Sequence, residues 1–173
     1  MDEVKINMMC GKRNFGRDWY HVDMADFPHV TDRDITLSSF PDNSVDLLFC
    51  SHGIAYFSRE EIVPILQAWH RVLKVGGVLR LATPDWNVLR TIYPPMLGPL
   101  YGKMGEPAIY HKTVYDNVAL RELLYSVGFN SCRLYDHTKT EHPNTGNRED
   151  KYDDHSAAYI NGQLISLNVE CNK

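Results

Sequence analysis

Residues 45–85 read VDLLFCSHGIAYFSREEIVPILQAWHRVLKVGGVLRLATPD, and this stretch decides the fold. The apolar run Val45–Cys50 predicts a strand that is buried on both faces. Ser58 and Glu61 have the spacing of a capping box, and apolar residues at helical spacing follow them. The run Val78–Ala82, after a double glycine, predicts a second strand. Strand, helix and strand in this order predict a βαβ unit with a right-handed crossover.

The segments on either side of this unit extend the same pattern. Four further strands are predicted, at Val4–Met9, Trp19–Val22, Cys132–Tyr135 and Leu164–Cys171, with a weaker one near Asp34–Leu37. A second helix is predicted to begin near Asp116 and to stop at Gly128, and His137–His155 is predicted to be a long loop. The predicted class is α/β, with a mostly parallel sheet and an antiparallel strand pair near the C-terminus.

Composition indicates a single ordinary domain. The chain has 173 residues, of which 43% are hydrophobic and 23% charged, and its net charge is −4. We therefore expect one soluble domain over residues 1–173. Because the net charge is negative, we do not expect this domain to bind membranes or nucleic acid. The opening residues MDEVKINMMC lack the features of a signal peptide.

Cysteine spacing predicts a reducing, cytoplasmic setting. Cys10, Cys50, Cys132 and Cys171 lie far apart and form no Cys-x-x-Cys pair. Three of the four lie within apolar runs, where a free cysteine behaves as a small buried hydrophobe. We therefore expect unpaired thiols and no zinc site.

Polar residues and glycines follow the predicted strands, where open α/β sheets bind their ligands. In chain order these are Cys10, Gly11 and Gly16, then Asp23, Asp34, Ser51 with His52, and Asp85. Each also has an ordinary structural reading: a turn glycine, a carboxylate that caps a strand end, a hydrogen-bonded histidine, or, at Asp85, the N-cap of a short helix.

In this order, the motifs resemble those of the class I S-adenosylmethionine-dependent methyltransferases. The matching segments are Asn7–Gly11, Gly16–Trp19, Tyr20–Asp23, Phe40–Leu47 and Ala68–Arg80, with Thr83–Asp85 and His111–Asp116 beyond them. The resemblance implies a Rossmann-like fold with reduced N-terminal helices. It also implies an enzyme that transfers a methyl group from S-adenosyl-L-methionine to a small-molecule, sugar- or nucleotide-linked acceptor.

The resemblance also implies roles for individual residues. The residues implied to contact the cofactor are Cys10, Gly11, Asp23, Asp34, Ile35, Ser51 and His52. A hydroxyl or protonated amine acceptor also needs a base, and the candidates are His52, Asp85, His111 and Tyr115, which the sequence does not rank.

Three departures from the family pattern qualify these expectations. Met9 stands where a glycine is usual, and no acidic residue follows His52 in the segment up to Tyr56. About thirteen residues separate Gly11 from the end of the second strand, too few for the usual helix. A thinly covered sheet face would favour a homodimer.

Three other functions are kept as alternatives. The first is a methyltransferase-like binding or scaffold module without turnover. A nicotinamide oxidoreductase is a weaker alternative, because the chain has no G-x-G-x-x-G. A metal site is the third, and it would draw on His137, His142, Asp153, Asp154 and His155, although a solvated loop is the simpler reading.

Overall fold

The computed structural model describes residues 3–92, 94–95, 97–103, 109–140 and 158–173. The strands are β1 Lys5–Met8, β2 Tyr20–Val22, β3 Val45–Ser51, β4 Leu73–Pro84, β5 Gly102–Lys103, β6 Ile109–Tyr110, β7 Asn130–Leu134, β8 Tyr159–Ile160, β9 Gln163–Leu164 and β10 Ser166–Asn172. The helices are α1 Arg59–Val72, α2 Trp86–Leu89, α3 Gly98–Tyr101 and α4 Asn117–Val127, with 3₁₀ turns at Ile54–Tyr56 and His137–Lys139.

Six strands form one mixed sheet in the order β2-β1-β3-β4-β10-β7. The first four are mutually parallel, and β10 runs antiparallel to both β4 and β7. The predicted α/β class, the mostly parallel sheet and the antiparallel C-terminal pair are therefore confirmed. The pairs β5/β6 and β8/β9 form two small antiparallel ribbons outside this sheet, which the sequence did not predict.

The βαβ unit forms as predicted. Ser58 and Glu61 make both hydrogen bonds of the capping box at the start of α1. Pro64 lies inside the helix without shifting its start, and the buried face, which includes Trp69, packs on the sheet beside α4. The helix ends at Val72, so β4 begins before the double glycine rather than after it.

The weak third strand predicted near Asp34–Leu37 is wrong. The chain there turns, and only a single parallel bridge joins Asp32 to Val22 beside β2. The reason is local, because the Asp34 carboxylate accepts backbone hydrogen bonds two and four residues ahead and so curls the chain. Leu37 then adopts a φ of 55°, which ends any extended run.

The second sheet face is covered although no helix lies between β1 and β3 in the described residues 9–44. Phe15 and Trp19, from the connection between β1 and β2, pack on Leu47 and Phe49 of β3. The rings of Phe15 and Trp19 meet edge to face at 5.2 Å. The predicted absence of a helix is correct, but two aromatic side chains replace it, so this face is not thinly covered.

Farther along the same sheet face, the buried Arg80 and Glu170 form a charged cluster with the exposed Arg133. Arg80 Nη2 lies 3.0 Å and Arg133 Nη2 2.7 Å from opposite oxygens of the Glu170 carboxylate. Arg80 and Glu170 are each less than a tenth exposed. A buried carboxylate is tolerated here because two guanidinium groups pair with it.

Two of the four cysteines are not free thiols, which corrects the prediction. Cys132 of β7 and Cys171 of β10 form a disulfide between neighbouring antiparallel strands. Their 39-residue separation hid this pairing, because only the strand order brings the two residues together. Cys10 and Cys50 are free and buried, as expected.

Two further expectations concern membrane-spanning helices and the long loop predicted over His137–His155. No helix in the described part of the chain is both long and apolar enough to cross a membrane. Of the loop predicted over His137–His155, the start is described and contains the 3₁₀ turn His137–Lys139. Residues 141–155 of that loop lie outside the described residues.

Candidate functional site

The strand order reverses between β1 and β3, and this reversal defines the site. The chain moves from β1 outward to β2 and then returns to the other side of β1 as β3. In open α/β sheets the carboxyl ends of the strands at such a reversal form the ligand-binding crevice. The loop after β1, Asp23 after β2, and His52 after β3 therefore belong to one edge of the sheet.

The loop after β1 is tied to the end of β2. The Gly11 amide donates to Asp23 Oδ2 at 2.8 Å, and the Ala25 amide donates to Asp23 Oδ1 at 2.8 Å. The Cys10 amide donates to the Val22 carbonyl at 3.3 Å. Gly11 has a φ of 56°, and a side chain there would meet nothing within 4 Å. The structure thus brings together Cys10, Gly11 and Asp23.

The Cys10 side chain is a buried thiol rather than a reactive thiolate. It is 1% exposed, and its Sγ lies 3.6 Å from Nε2 of His29. Burial, followed by the negative charge of Asp23, raises the pKa of Cys10 to about 12. Because the thiolate is the nucleophilic form, Cys10 can contribute shape and backbone groups to the site but not covalent chemistry.

Asp34 and Ile35 lie in the turn that follows the Asp32–Val22 bridge. The Asp34 carboxylate accepts from the hydroxyls of Ser38 and Thr36 and from both of their amides. These hydrogen bonds hold its pKa below the ordinary value. The Ile35 carbonyl accepts from Trp69 Nε1 at 2.8 Å, which anchors the turn to α1.

The end of β3 carries a histidine in an unusual backbone conformation. His52 has a φ of 55°, and its amide donates to the Ala82 carbonyl of β4 at 2.7 Å. Its Nε2 lies 2.9 Å from Oγ of Ser166, the first residue of β10. Ser51 beside it is only 4% exposed. His52 is therefore held by two neighbouring strands at the edge where the crevice opens.

Asp85 and Tyr115 are paired by their backbones just beyond β4. A parallel bridge joins them, and the Trp86 amide donates to the Tyr115 carbonyl at 2.9 Å. Asp85 Oδ1 accepts from the Asn87 amide, so Asp85 caps α2, and burial raises its pKa. Tyr115 is 4% exposed within the main core, and burial raises its pKa to about 12.

His111 stands over the 3₁₀ turn that follows His52. Its ring meets the Tyr56 ring edge to face, with centroids 4.6 Å apart. Its Nδ1 is buried and has no hydrogen-bond partner among the described residues, and burial lowers its pKa. The amides of Lys112 and Thr113 both donate to the Ala55 carbonyl, so this segment is fixed to the same edge of the sheet.

The candidate residues that directly follow β1, β2, β3 and β4 lie at the carboxyl edge of the parallel strands, whereas Tyr115 lies in the main core and Ile35 is anchored to Trp69 in the last turn of α1. Sequence reasoning missed Tyr56, Gly53 and Ser166, which contact candidate residues there. Ser166 could not be found from spacing, since 114 residues separate it from His52. A glycine directly after His52 was a visible signal of close packing, but a glycine also fits an ordinary turn.

Two other features lie apart from this site. An open cavity of about 590 Å³ lies at the opposite ends of β1 and β2, between Lys5 and Tyr20. It is lined by charges of both signs, namely Glu3, Lys5, Arg17 and Asp18.

No metal-binding group of histidine, cysteine and carboxylate side chains occurs in the described residues. Of the alternative metal ligands only His137 is described; His142, Asp153, Asp154 and His155 lie outside.

Comparison with known proteins gives a match to one family model. A family model described as a methyltransferase domain matches residues 9–81. This segment contains the loop after β1, Asp23, His52 and most of the βαβ unit. No match to this chain is found among curated proteins.

Solved structures share the fold across nearly the whole chain. A SAM-dependent methyltransferase from Archaeoglobus fulgidus aligns with a TM-score of 0.67 at 17% identity, over 99% of this chain and 86% of its own. An S-adenosylmethionine-dependent methyltransferase from Mesorhizobium loti aligns with a TM-score of 0.58 at 13% identity, over 98% and 90%.

A third structure holds ligands. The 1,6-didemethyltoxoflavin-N1-methyltransferase of Burkholderia thailandensis, with 1,6-didemethyltoxoflavin and S-adenosylhomocysteine bound, aligns with a TM-score of 0.59 at 14% identity, over 98% of this chain and 70% of its own. Together, the family match and the shared fold support the expected enzyme class and S-adenosylmethionine as its cofactor. Residues 9–81 match the model of a methyltransferase domain, and the chain shares its fold with S-adenosylmethionine-dependent methyltransferases.

Proposed function

We propose that the protein transfers the methyl group of S-adenosylmethionine to a small-molecule, sugar- or nucleotide-linked acceptor. The observation that carries this proposal is the hydrogen bond between the Gly11 amide and the Asp23 carboxylate at the strand-order reversal. It fixes an open glycine and a partly exposed carboxylate side by side, next to the His52 loop. A crevice with this lining suits a ligand with an amino-acid part and a ribose.

The residues at this edge fit such a cofactor. A side chain on Gly11 would meet open space, so a ligand can approach its backbone closely. Each oxygen of Asp23 accepts one amide hydrogen in the described contacts, and a carboxylate oxygen has capacity for more. We assign Asp23 to the ribose hydroxyls. Further contacts are assigned to Cys10 and Gly11 for the methionine part, Asp34 and Ile35 for the adenine, and Ser51 and His52 for the wall of the pocket.

When bound, S-adenosylmethionine supplies a methyl group on a positively charged sulfur. Bound S-adenosylmethionine would give this methyl group to an acceptor oxygen or nitrogen and would leave as the neutral thioether S-adenosylhomocysteine. The protein's part is to hold the acceptor in line and to exclude water. An acceptor that begins with an O–H or a protonated N–H must also lose a proton, which a side chain near the acceptor takes up.

We assign the role of the base that takes up this proton to His111, with Asp85 as the second candidate. Burial lowers the pKa of His111, so its imidazole is neutral at pH 7 and can accept a proton. Burial raises the pKa of Asp85, which makes its carboxylate a stronger base than usual. The other two candidates are less suited, because His52 Nε2 is engaged by Ser166 and the Tyr115 phenol is buried in the core.

Isothermal titration with S-adenosylmethionine and S-adenosylhomocysteine tests the proposal directly. We expect saturable binding of both, followed by transfer of labelled methyl groups to members of an acceptor panel of small alcohols, amines, sugar nucleotides and nucleotides. An absence of binding at millimolar concentrations would reject it.

A non-catalytic binding or scaffold module is the second candidate function. The observation that favours it is the segment from His52 to Tyr56, which carries no acidic residue where the methyltransferase pattern often has one. Binding of S-adenosylhomocysteine without transfer to any member of the panel would support this second function over the first.

Two further proposals concern assembly and location. A homodimer was expected to cover a bare sheet face, and the packing of Phe15 and Trp19 removes most of that reason. A light-scattering mass of 19.9 kDa at high concentration would contradict the dimer.

A cytoplasmic location has the free thiols Cys10 and Cys50 in its favour and the Cys132–Cys171 disulfide against it. Cell fractionation decides between them.

A further inference from the structure

The loops on the two sides of the strand-order reversal touch at Met9 and Gly53. Strands β1 and β3 are parallel neighbours, with Met8 opposite Cys50 in the register. Met9 is the first residue after β1, and Gly53 is the second residue after β3. The proposed cofactor crevice therefore has this contact at its base.

Gly53 is required here by space and not by its backbone. Its φ is −90°, a value that any residue adopts. A methyl group on Gly53 would lie 2.6 Å from Sδ and 2.9 Å from Cβ of Met9, and 2.7 Å from Sγ of Cys50. These separations are shorter than real contacts, so the missing side chain of Gly53 is what admits the Met9 side chain.

Met9 itself holds a strained backbone. Its φ of 52° lies in the left-handed region, which costs residues with a Cβ about 1–2 kcal/mol. Its side chain packs against the main core, and this packing offsets the strain. Strain that the surrounding structure enforces often marks a functional position. Here it is two residues from Gly11, whose amide bonds Asp23.

We propose that Met9 is a positioning residue for cofactor binding, locked by its contact with Gly53. The inference rests on the proposed function and deepens it. With Met9 anchored in the core, the loop after β1 cannot shift, and the Gly11 amide stays bonded to the Asp23 carboxylate. The lock thus presents the open face of Gly11 and the carboxylate of Asp23 in one fixed arrangement to S-adenosylmethionine.

The variant Gly53→Ala tests whether the Met9–Gly53 contact positions the loop after β1. The new methyl group displaces the Met9 side chain, and we expect the KM for S-adenosylmethionine and the Kd for S-adenosylhomocysteine to rise about tenfold or more. The kcat at saturating cofactor and the KM for the acceptor should change less, because the displaced Met9 side chain lies in the loop after β1, whereas His111 packs on Tyr56 and Asp85 follows β4. Gly98→Ala is the matched control, since a side chain at Gly98 meets nothing within 4 Å.

A second-site variant separates positioning from a loss of stability. Adding Met9→Gly to Gly53→Ala removes two of the three close contacts and leaves the one with Cys50 Sγ, so we expect it to recover part of the lost thermal stability but not the full affinity. Met9→Gly alone relieves the backbone strain, so it should fold, yet bind S-adenosylhomocysteine more weakly because the loop is no longer anchored. If Gly53→Ala does not fold, this single variant decides the question.

The outcomes distinguish the two proposals. If the wild type binds no S-adenosylhomocysteine, the proposed function fails and the positioning role falls with it. If the wild type binds, and folded Met9→Gly and Gly53→Ala bind within about twofold of it, only the positioning role is overturned. A rise in the cofactor KM at unchanged kcat supports it.

Discussion

The amide of Gly11 donates a 2.8 Å hydrogen bond to Oδ2 of Asp23, across twelve residues of chain. This bond joins the loop after β1 to the end of β2. The same carboxylate also accepts from the Ala25 amide. One side chain therefore orders both loops that border the proposed cofactor crevice.

Replacing Asp23 should weaken cofactor binding more than it weakens the fold. For Asp23→Ala we expect the Kd for S-adenosylhomocysteine to rise by about 10–150-fold, the equivalent of about 1.5–3 kcal/mol for hydrogen bonds to a charged group. Isothermal titration measures this. Asp26→Ala, which removes an exposed carboxylate three residues away, is the control and should bind normally.

The two candidate bases can be separated by conservative variants. Asn caps helices as well as Asp does, so Asp85→Asn should fold normally and lose only the basic carboxylate. We expect His111→Gln to lower kcat about 10²–10⁴-fold and Asp85→Asn to lower it less. The wild-type rate should fall as the pH drops through the pKa of His111, which burial lowers from 6.5. Equal activity of His111→Gln and the wild type would exclude that histidine as the base.

The Asp34 turn should contribute stability that depends on pH. The pKa of its carboxyl is lowered in the folded state, chiefly by the hydroxyls of Ser38 and Thr36. The contribution is therefore present above the unfolded pKa of about 4 and is lost as the pH falls through the lower folded value. We expect Asp34→Ala to lower the free energy of unfolding by about 1–2 kcal/mol at pH 7.

Denaturant unfolding at a series of pH values measures this effect. The difference between wild type and Asp34→Ala should shrink as the pH falls below about 4. A difference that stays constant down to the acid limit would show that the ionised carboxylate contributes nothing. Asp26→Ala again serves as the control for the loss of one negative charge.

Trp19 should be a major source of stability despite lying in a loop. It is 6% exposed, and it packs with Phe15 against β3 on the face opposite α1. We expect Trp19→Ala to lower the free energy of unfolding by about 3–5 kcal/mol, measured in urea. Trp86→Ala removes the same ring from a site that is 40% exposed and should cost much less. Equal losses would mean that the cover over β3 is unimportant.

The disulfide should stabilise the protein under oxidising conditions. We expect the double variant Cys132→Ser/Cys171→Ser to lose about 2–4 kcal/mol of unfolding free energy. Added dithiothreitol should lower the stability of the wild type towards that of the variant and leave the variant unchanged. Titration of the denatured wild type without reductant should give two thiols, those of Cys10 and Cys50. A count of four would contradict the disulfide.

Local patterns predicted those elements whose cause is local. The capping box at Ser58 and Glu61 and the apolar face of α1 identify a helix without any tertiary information. The apolar runs that form β3 and β4 are continuous and bounded by turn residues, so they predict strands rather than loops. The pattern near Asp34–Leu37 failed because the carboxylate of Asp34 competes for the backbone amides, and apolar alternation does not reveal that competition.

The candidate site was also only partly predictable from the sequence, for the same reason. The residues after β1, β2 and β3 were visible in the sequence because a βαβ order implies parallel strands with their carboxyl ends at one edge. The contact of His52 with Ser166 was not visible, since it depends on β10 entering the sheet beside β4. The packing of Met9 on Gly53 depends in the same way on the pairing of β1 with β3.

The sequence by itself determined the six strands of the main sheet, the two long helices and the order of polar residues at the strand ends, because these depend on neighbours a few positions apart. Only the tertiary structure decided that Phe15 and Trp19 cover the face left without a helix, that Cys132 bonds Cys171, and that Gly11 meets Asp23. These contacts join residues that are distant in the chain or lie on separate strands. Strand order and side-chain packing select them, and no local pattern encodes either.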